Sequence, residues 1–380
     1  MSTILLLGGT GAIGMPLARL LVERGDRVVV TSREARKNGL GIEYVCGNAK
    51  DVSFLRSVID NVVPDVIVDF MIYSTEEFRS RVNFLLGIGV QYVFLSSYTV
   101  FAKAERISEN STRLLDATTD PMLLAADPYP IRKARCEDML RNSSFRNWTI
   151  VRPGITYSGA RLQFGCLESH TWLFRAMQGL PVVMPKAMRT CETTMTYGGD
   201  VARMLAELIG NKKAYGEDFN LSTSEHRSWK YIADVYAEMV GLIVTDCSVE
   251  DYCMIVGSDT AVSDRMSNRI LNNDKILSVT GMSQDSFMPL ADGLRRELLA
   301  FKAHPVFQYQ EFFKSARIDR ILGTRTNLSG MTFGQRLAYY QNFYPKFGWL
   351  CANASIALKN PGRVVRKVWN RISGTKEKHE

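Results

Sequence analysis

Apolar positions in the first 160 residues follow two rhythms in alternation. Short aliphatic or β-branched runs, such as Ile-Leu-Leu-Leu at 4–7 and Val-Val-Val-Thr at 28–31, are followed by longer stretches with apolar side chains at helical spacing. This pattern predicts strands at 4–7, 27–31, 43–46, 66–70, 92–96 and 149–152, with helices at 13–24, 52–61, 76–86 and 130–141. Pro153-Gly154 after the sixth run predicts a turn. Runs that are apolar at nearly every position belong to strands buried on both faces, so a parallel sheet with helical crossovers is expected. The fold class is α/β: a doubly wound sheet followed by a smaller C-terminal substrate-binding α/β region. In the second half the rhythm loosens; helices are expected at 172–178, 201–209 and 229–240, and 219–221 as a strand returning to the sheet. Residues 1–157 then form the first domain with 191–223 returning to it, residues 158–190 and 224–330 form the second region, and 331–380 is an aromatic, basic extension.

Composition narrows the class. The chain has 380 residues, 46% hydrophobic and 23% charged, with no low-complexity tract, as in ordinary globular proteins. The apolar start at 4–7 breaks at once into glycines, too short for a signal h-region, and no long apolar stretch free of charged and turn residues predicts a membrane span. Seven scattered cysteines with no CxxC spacing point to a reducing cytoplasm and to no metal site. The net charge of +8 is uneven: residues 345–380 hold eight Lys/Arg against two Glu, leaving the body near neutral. By charge the body is therefore not a nucleic-acid surface. In the tail, Arg363, Arg366, Lys367 and Arg371 interleave with Val364, Val365, Val368 and Trp369, the pattern of a basic amphipathic helix. Such a helix lies on an anionic membrane as a peripheral contact, or packs on its own domain or a dimer partner.

Gly8-x-x-Gly11-x-x-Gly14 stands between the first strand and the first helix, the place where a Rossmann-type fold binds a dinucleotide. Glycine permits the tight turn and close backbone approach, and the helix N-terminus offers unpaired N–H groups to phosphate. The loop and first turn, Gly8, Thr10, Gly11, Ala12, Ile13 and Gly14, are the candidate pyrophosphate site. The second strand ends Thr31-Ser32-Arg33-Glu34 with no carboxylate at its tip. Ser32 and Arg33 suit a 2′-phosphate and favour NADP over NAD, unless Arg33 is a solvated loop residue. Asn48, after the third strand, is placed to touch the adenine.

Tyr129 and Lys133 are four apart and share a helix face. A phenol is a poor base at neutral pH, and a neighbouring ammonium favours its ionised form. Lys133 also reaches a cofactor ribose. Ser97 ends the fifth strand in Ser96-Ser97-Tyr98-Thr99 and points into the crevice where ligands bind in such sheets, whereas Ser96 is structural.

The order GxxGxxG, Ser96-Ser97-x-x-Val-Phe, Tyr129-x-x-x-Lys133, then Val151-Arg152-Pro153-Gly154 resembles the extended short-chain dehydrogenases/reductases, the NAD-dependent epimerase/dehydratase family. The runs at 197–202 and 219–222 also match it, and the likeness covers about residues 1–300. The resemblance implies a Ser97, Tyr129, Lys133 triad, a nucleotide-activated sugar as substrate, a role in polysaccharide biosynthesis and a homodimer. Ser97, Tyr98, Tyr129 and His170 are the expected substrate contacts; His170 alternatively caps the helix that follows it. Family dehydratases carry an Asp-Glu pair after the catalytic hydroxyl residue. Tyr98-Thr99 stands there, so dehydration is not expected. What remains is hydride transfer: reduction of a 4-keto sugar with Tyr129 as proton donor, or C4 epimerisation with tightly held NAD. A relative that kept the fold and binds nucleotide or RNA without catalysis is the rival class.

Overall fold

The computed structural model describes residues 1–159, 161–307, 311–349 and 351. Seven strands form one sheet: β1 (Thr3–Leu7), β2 (Arg27–Ser32), β3 (Ile42–Cys46), β4 (Val66–Asp69), β5 (Gln91–Leu95), β6 (Trp148–Pro153) and β7 (Glu217–Leu221). All neighbours run parallel, in the order β7-β6-β5-β4-β1-β2-β3. The order reverses between β1 and β4, and the crevice at their carboxyl ends is where such sheets bind ligands.

Alternate residues of each strand feed two cores, as the two-residue period of a strand requires. Ile4, Leu6, Val28 and Val30 pack on one face against Leu17 and Leu21 of α1 (Gly14–Glu23) and Val201 and Leu205 of a later helix, Gly198–Leu208. Leu5, Leu7 and Val29 face the other side with Leu55 of α2 (Val52–Val62), Leu85 of α4 (Val82–Gly87) and Leu140 of α5 (Tyr129–Arg141).

Two local expectations are corrected. The helix expected at 76–86 is two, α3 (Thr75–Arg79) and α4. Arg81 leaves the helical conformation between them, is 3% exposed, and donates to the carbonyls of Glu77 and Lys50. Its guanidinium also lies 4.4 Å from the Tyr73 ring centroid. The chain also does not turn at Pro153-Gly154. β6 runs through Pro153, paired with Leu221, and the short strand Ile155–Tyr157 follows. Gly154 serves close packing instead, since a Cβ there would lie 3.0 Å from Leu271 Cδ1.

Beyond the sheet, α6 (Ser169–Ala176) and α8 (Trp229–Val240) enclose a third core, whereas α7 (Gly198–Leu208) packs on the first. Trp172 stacks on Tyr236 with centroids 4.2 Å apart, and Phe164 meets both rings edge-on. α9 (Phe312–Leu322) and α10 (Phe333–Phe343) form a hairpin around Phe312, Ala316 and Tyr339. Its hub is Asp319, fully buried, which pairs with Arg175 of α6 at 2.9 Å and accepts from Thr324, Thr326 and Tyr339. The amphipathic helix expected around 363–371 lies outside the described residues. Among the described residues, no helix is long and apolar enough to cross a membrane, and no cluster of His, Cys, Asp or Glu is placed to hold a metal.

Candidate active site

The glycine loop is shaped by contacts that leave no room for side chains at two of its three positions. Gly8 has φ +73°, and a Cβ there would sit 2.7 Å from Met71 Sδ. Its N–H donates to Thr31 Oγ1 at 2.9 Å, so β2 holds the turn. At Gly14 a Cβ would lie 2.4 Å from the carbonyl oxygen of Gly9, which brings α1 against the loop. Gly11 meets nothing within 4 Å and faces open space. No side chain caps α1, where Ile13 is the N-cap, so its first N–H groups keep their affinity for an anion. From the far side, Ser158 Oγ donates to the Ala12 carbonyl at 2.8 Å. This cradle fits the pyrophosphate of a dinucleotide, with Gly8, Thr10, Gly11, Ala12, Ile13 and Gly14 around it. At the β2 tip, Arg33 and Arg36 are exposed, and Ser32 Oγ accepts from the Glu34 N–H at 3.2 Å. Asn48 is exposed, its side-chain oxygen accepting from the Lys50 N–H at 3.1 Å.

Ser97, Tyr129 and Lys133 come together at the carboxyl end of β5. Ser97 directly follows the strand, 8% exposed, and its Oγ accepts from Thr99 Oγ1 at 2.9 Å. Tyr129 opens α5, where Pro130 is tolerated in the first turn, and Ser97 lies close enough to its hydroxyl to favour the ionised phenol. One turn on, Lys133 Nζ donates to the carbonyls of Leu95 at 2.6 Å and Met71 at 3.3 Å, 6.0 Å from the Tyr129 ring centroid. Burial pulls the Lys133 ammonium down to about 8, against the attraction of Asp69. Burial also raises the Tyr129 phenol, and Ser97 with the positive charges of Arg161 and Arg132 opposes that rise. The phenol is thus protonated at neutral pH, ready to donate.

Three buried groups around the triad escaped the sequence reading. Glu137, a further turn along α5, is fully buried; it accepts from Ser96 Oγ at 2.5 Å and from Arg152 Nε and Nη2 at 2.8 and 2.9 Å. Arg152 continues to Asp218 of β7 at 2.7 Å, so one ionic chain ties α5 to β5, β6 and β7. Asp69, ending β4 in an otherwise apolar run, accepts from Tyr92 at 2.6 Å, Tyr73 at 3.0 Å and the Met71 N–H at 2.8 Å. Burial raises its pKa. Its bond to Met71 shapes the loop whose carbonyl receives Lys133. The signal for Glu137 was its spacing: four residues after Lys133 puts it on the same buried helix face.

Tyr98 and His170, expected at the substrate, are engaged in the protein. Tyr98 is 3% exposed and donates to Asp264 at 3.0 Å, with Arg265 donating to it. His170, in the first turn of α6, pairs with Glu311 at 3.1 Å. Although burial pushes the Glu311 carboxyl up, hydrogen bonds from His170, Lys314 and Thr171 take it down to about 2. Ser96 is structural, as expected, through Glu137.

The comparisons with known proteins bear on the dinucleotide domain and the fold. Residues 8–175 match an NAD(P)H-binding family. The chain is 26% identical over 255 residues to the chloroplast stem-loop binding protein of 41 kDa b of Arabidopsis thaliana, covering 63% of each chain. It is 25% identical over 234 residues to 2′-dehydrokanamycin reductase of Streptomyces kanamyceticus, covering 60% of this chain and 63% of that one. It thus spans 63% of the length of these two curated relatives. Among solved structures, a UDP-glucose 4-epimerase of Thermus thermophilus in complex with NAD superposes with a TM-score of 0.61 at 18% identity, over 80% of this chain and 99% of that one. Residues 8–175 thus form an NAD(P)H-binding domain, and the chain shares the fold of this epimerase.

Proposed function

We propose that the protein reduces a keto group, at C4 of a nucleotide-activated sugar, with NADP(H). The observation that carries this reading is the convergence of the buried Ser97 and Lys133 with Tyr129 at the carboxyl end of β5, with the Lys133 ammonium 6.0 Å from the Tyr129 ring. A bound dihydronicotinamide supplies hydride to the carbonyl carbon. Ser97 Oγ orients the carbonyl oxygen, and Tyr129 Oη transfers its proton to that oxygen as negative charge develops there. Lys133 holds the nicotinamide ribose and, by its charge, stabilises the phenolate left behind. Ser32 and the exposed Arg33 read the 2′-phosphate. The relative with a reductase's name supports this direction of reaction.

The relative named for stem-loop binding favours one rival, a nucleic-acid binder. The near-neutral body weighs against it, because an RNA-binding surface needs concentrated positive charge. The deciding experiment denatures the purified protein, identifies any released dinucleotide, and titrates the emptied protein with NADPH and NADH. An empty protein that prefers NADPH supports the reductase, and near-stoichiometric NAD favours a C4 epimerase that never releases its cofactor. Failure to bind either dinucleotide overturns the enzyme reading. With a keto-sugar nucleotide as substrate, Tyr129→Phe is expected to lower turnover about 10²–10⁴-fold and leave dinucleotide affinity unchanged.

A further inference from the structure

Asp69 is the one charged residue in the apolar run 66–71 that closes β4. It lies beside the reversal point of the sheet, in register with Leu7 of β1 and Phe94 of β5. Its side chain is fully buried. One carboxylate oxygen accepts from the Met71 N–H, the other from the Tyr73 and Tyr92 hydroxyls. Donors on both oxygens suit the ionised form, which can only accept. A buried carboxylate is costly unless a cation matches it. Glu137 has Arg152 at 2.8 Å for that purpose. Among the described residues Asp69 forms no ion pair, and the cation whose attraction it feels is Lys133. The two meet through Met71, whose N–H is held by Asp69 and whose carbonyl receives Lys133 Nζ at 3.3 Å.

We propose that Asp69 is a positioning residue for the reaction: its buried carboxylate supplies the counter-charge of the Lys133 ammonium and, through Met71, fixes where that ammonium points. This role rests on the reductase reading proposed above, in which Lys133 must stay charged to stabilise the Tyr129 phenolate. The other groups around Lys133 cannot supply the charge. Arg132, its neighbour in α5, repels it; Cys136 is a neutral thiol, which burial pushes up to about 12; Glu137 is matched by Arg152. From β5 the Phe94 ring, centred 4.5 Å from Nζ, offers only its π face. The Leu95 and Met71 carbonyls take two of the three ammonium protons, so one remains for the ribose or the phenolate.

The test follows the two charges directly against pH, by the Nζ resonance of Lys133 and the Cγ resonance of Asp69 in isotope-labelled full chain. Asp69→Asn keeps the shape of the side chain and is expected to move the Lys133 titration down by about one pH unit or more. The coupling is reciprocal, so Lys133→Met should move the Asp69 titration up by a similar amount. That second variant carries the test if Asp69→Asn does not fold. With NADPH and a keto-sugar nucleotide, the alkaline fall of kcat should move down in Asp69→Asn together with the Lys133 titration. Tyr92→Phe removes a donor from Asp69 but not its charge, so it should lower the unfolding temperature and leave the Lys133 titration in place. Titrations that do not move overturn the proposal, and so does an equal shift in Tyr92→Phe, which would mark an effect of packing. A kcat profile that stays in place while the Lys133 titration moves overturns the role in the reaction. Shifted titrations without turnover of any keto-sugar nucleotide refute the reductase reading and leave the pairing of Asp69 with Lys133 standing.

Discussion

Glu137 and Arg152 are both fully buried and bonded to each other at two points. Replacing such a pair together is often neutral, but removing one partner strands the other's charge in the core. Arg152→Leu leaves Glu137 only its longer ion pairs to Arg113 at 3.5 Å and Arg141 at 3.9 Å and is expected to cost about 3 kcal/mol, seen as a lower urea midpoint. The double variant Arg152→Leu with Glu137→Leu is expected to recover part of that loss. Lys133 gives a second expectation, this time in pH. Its ammonium sits at about 8 in the folded protein, below its ordinary 10.5. Between these values the unfolded chain holds the extra proton, so the stability of the ligand-free protein should rise with pH across that window. Lys133→Met is expected to flatten this rise in a series of denaturant midpoints from pH 7.5 to 10.5. Ser97, Tyr129 and Lys133 were legible in the sequence because their chemistry depends on residue type and short spacing. Glu137 and Asp69 were not, because a carboxylate is noteworthy only once it is known to be buried, and that depends on strands far away in the chain.

The elements divide in the same way. Helix α8 was read to its limits because its signals are local: Ser228 accepts from the Tyr231 N–H at its start, and Gly241 takes φ +68° at its end. The break between α3 and α4 was missed because it depends on what Arg81 reaches: the Lys50 carbonyl and the Tyr73 ring. The α9–α10 hairpin shows tertiary control most clearly, since Asp319 alone collects Arg175, Thr324, Thr326 and Tyr339. Asp319→Ala leaves Arg175 as an unpaired buried cation and is expected to cost about 3–5 kcal/mol. The hairpin is also expected to open in acid. Glu311, before α9, sits at about 2 rather than 4.5, so the stability it contributes is complete above 4.5 and is lost as pH falls towards 2. Hydrogen exchange of residues 312–343 should accelerate over that range, and Glu311→Gln should reduce the pH dependence, leaving the part due to Asp319, whose pKa, although burial raises it, Arg175 also helps to lower.

Across the whole molecule, the parallel order of the strands places at one crevice groups that are far apart in the chain: the α1 N-terminus, the β2 tip, and the β5–α5 triad. A dinucleotide that spans them joins elements from the first strand to the fifth, so its binding energy adds to global stability. The linkage is quantitative: a ligand present at 100 times its dissociation constant adds about 2.7 kcal/mol. NADPH at that excess is expected to raise the unfolding temperature by several degrees. Arg33 provides the control that separates this effect from generic anion binding. It is exposed at the β2 tip, so Arg33→Ala removes no packing and should leave the ligand-free unfolding temperature unchanged. If Arg33 reads the 2′-phosphate, the variant loses the shift with NADPH at a fixed concentration and keeps whatever shift NADH produces. Equal shifts for both dinucleotides in both proteins would show that the adenosine end is read without Arg33. The cofactor preference would then have to come from the Gly8–Gly14 loop, whose backbone cannot tell a 2′-phosphate from a hydroxyl.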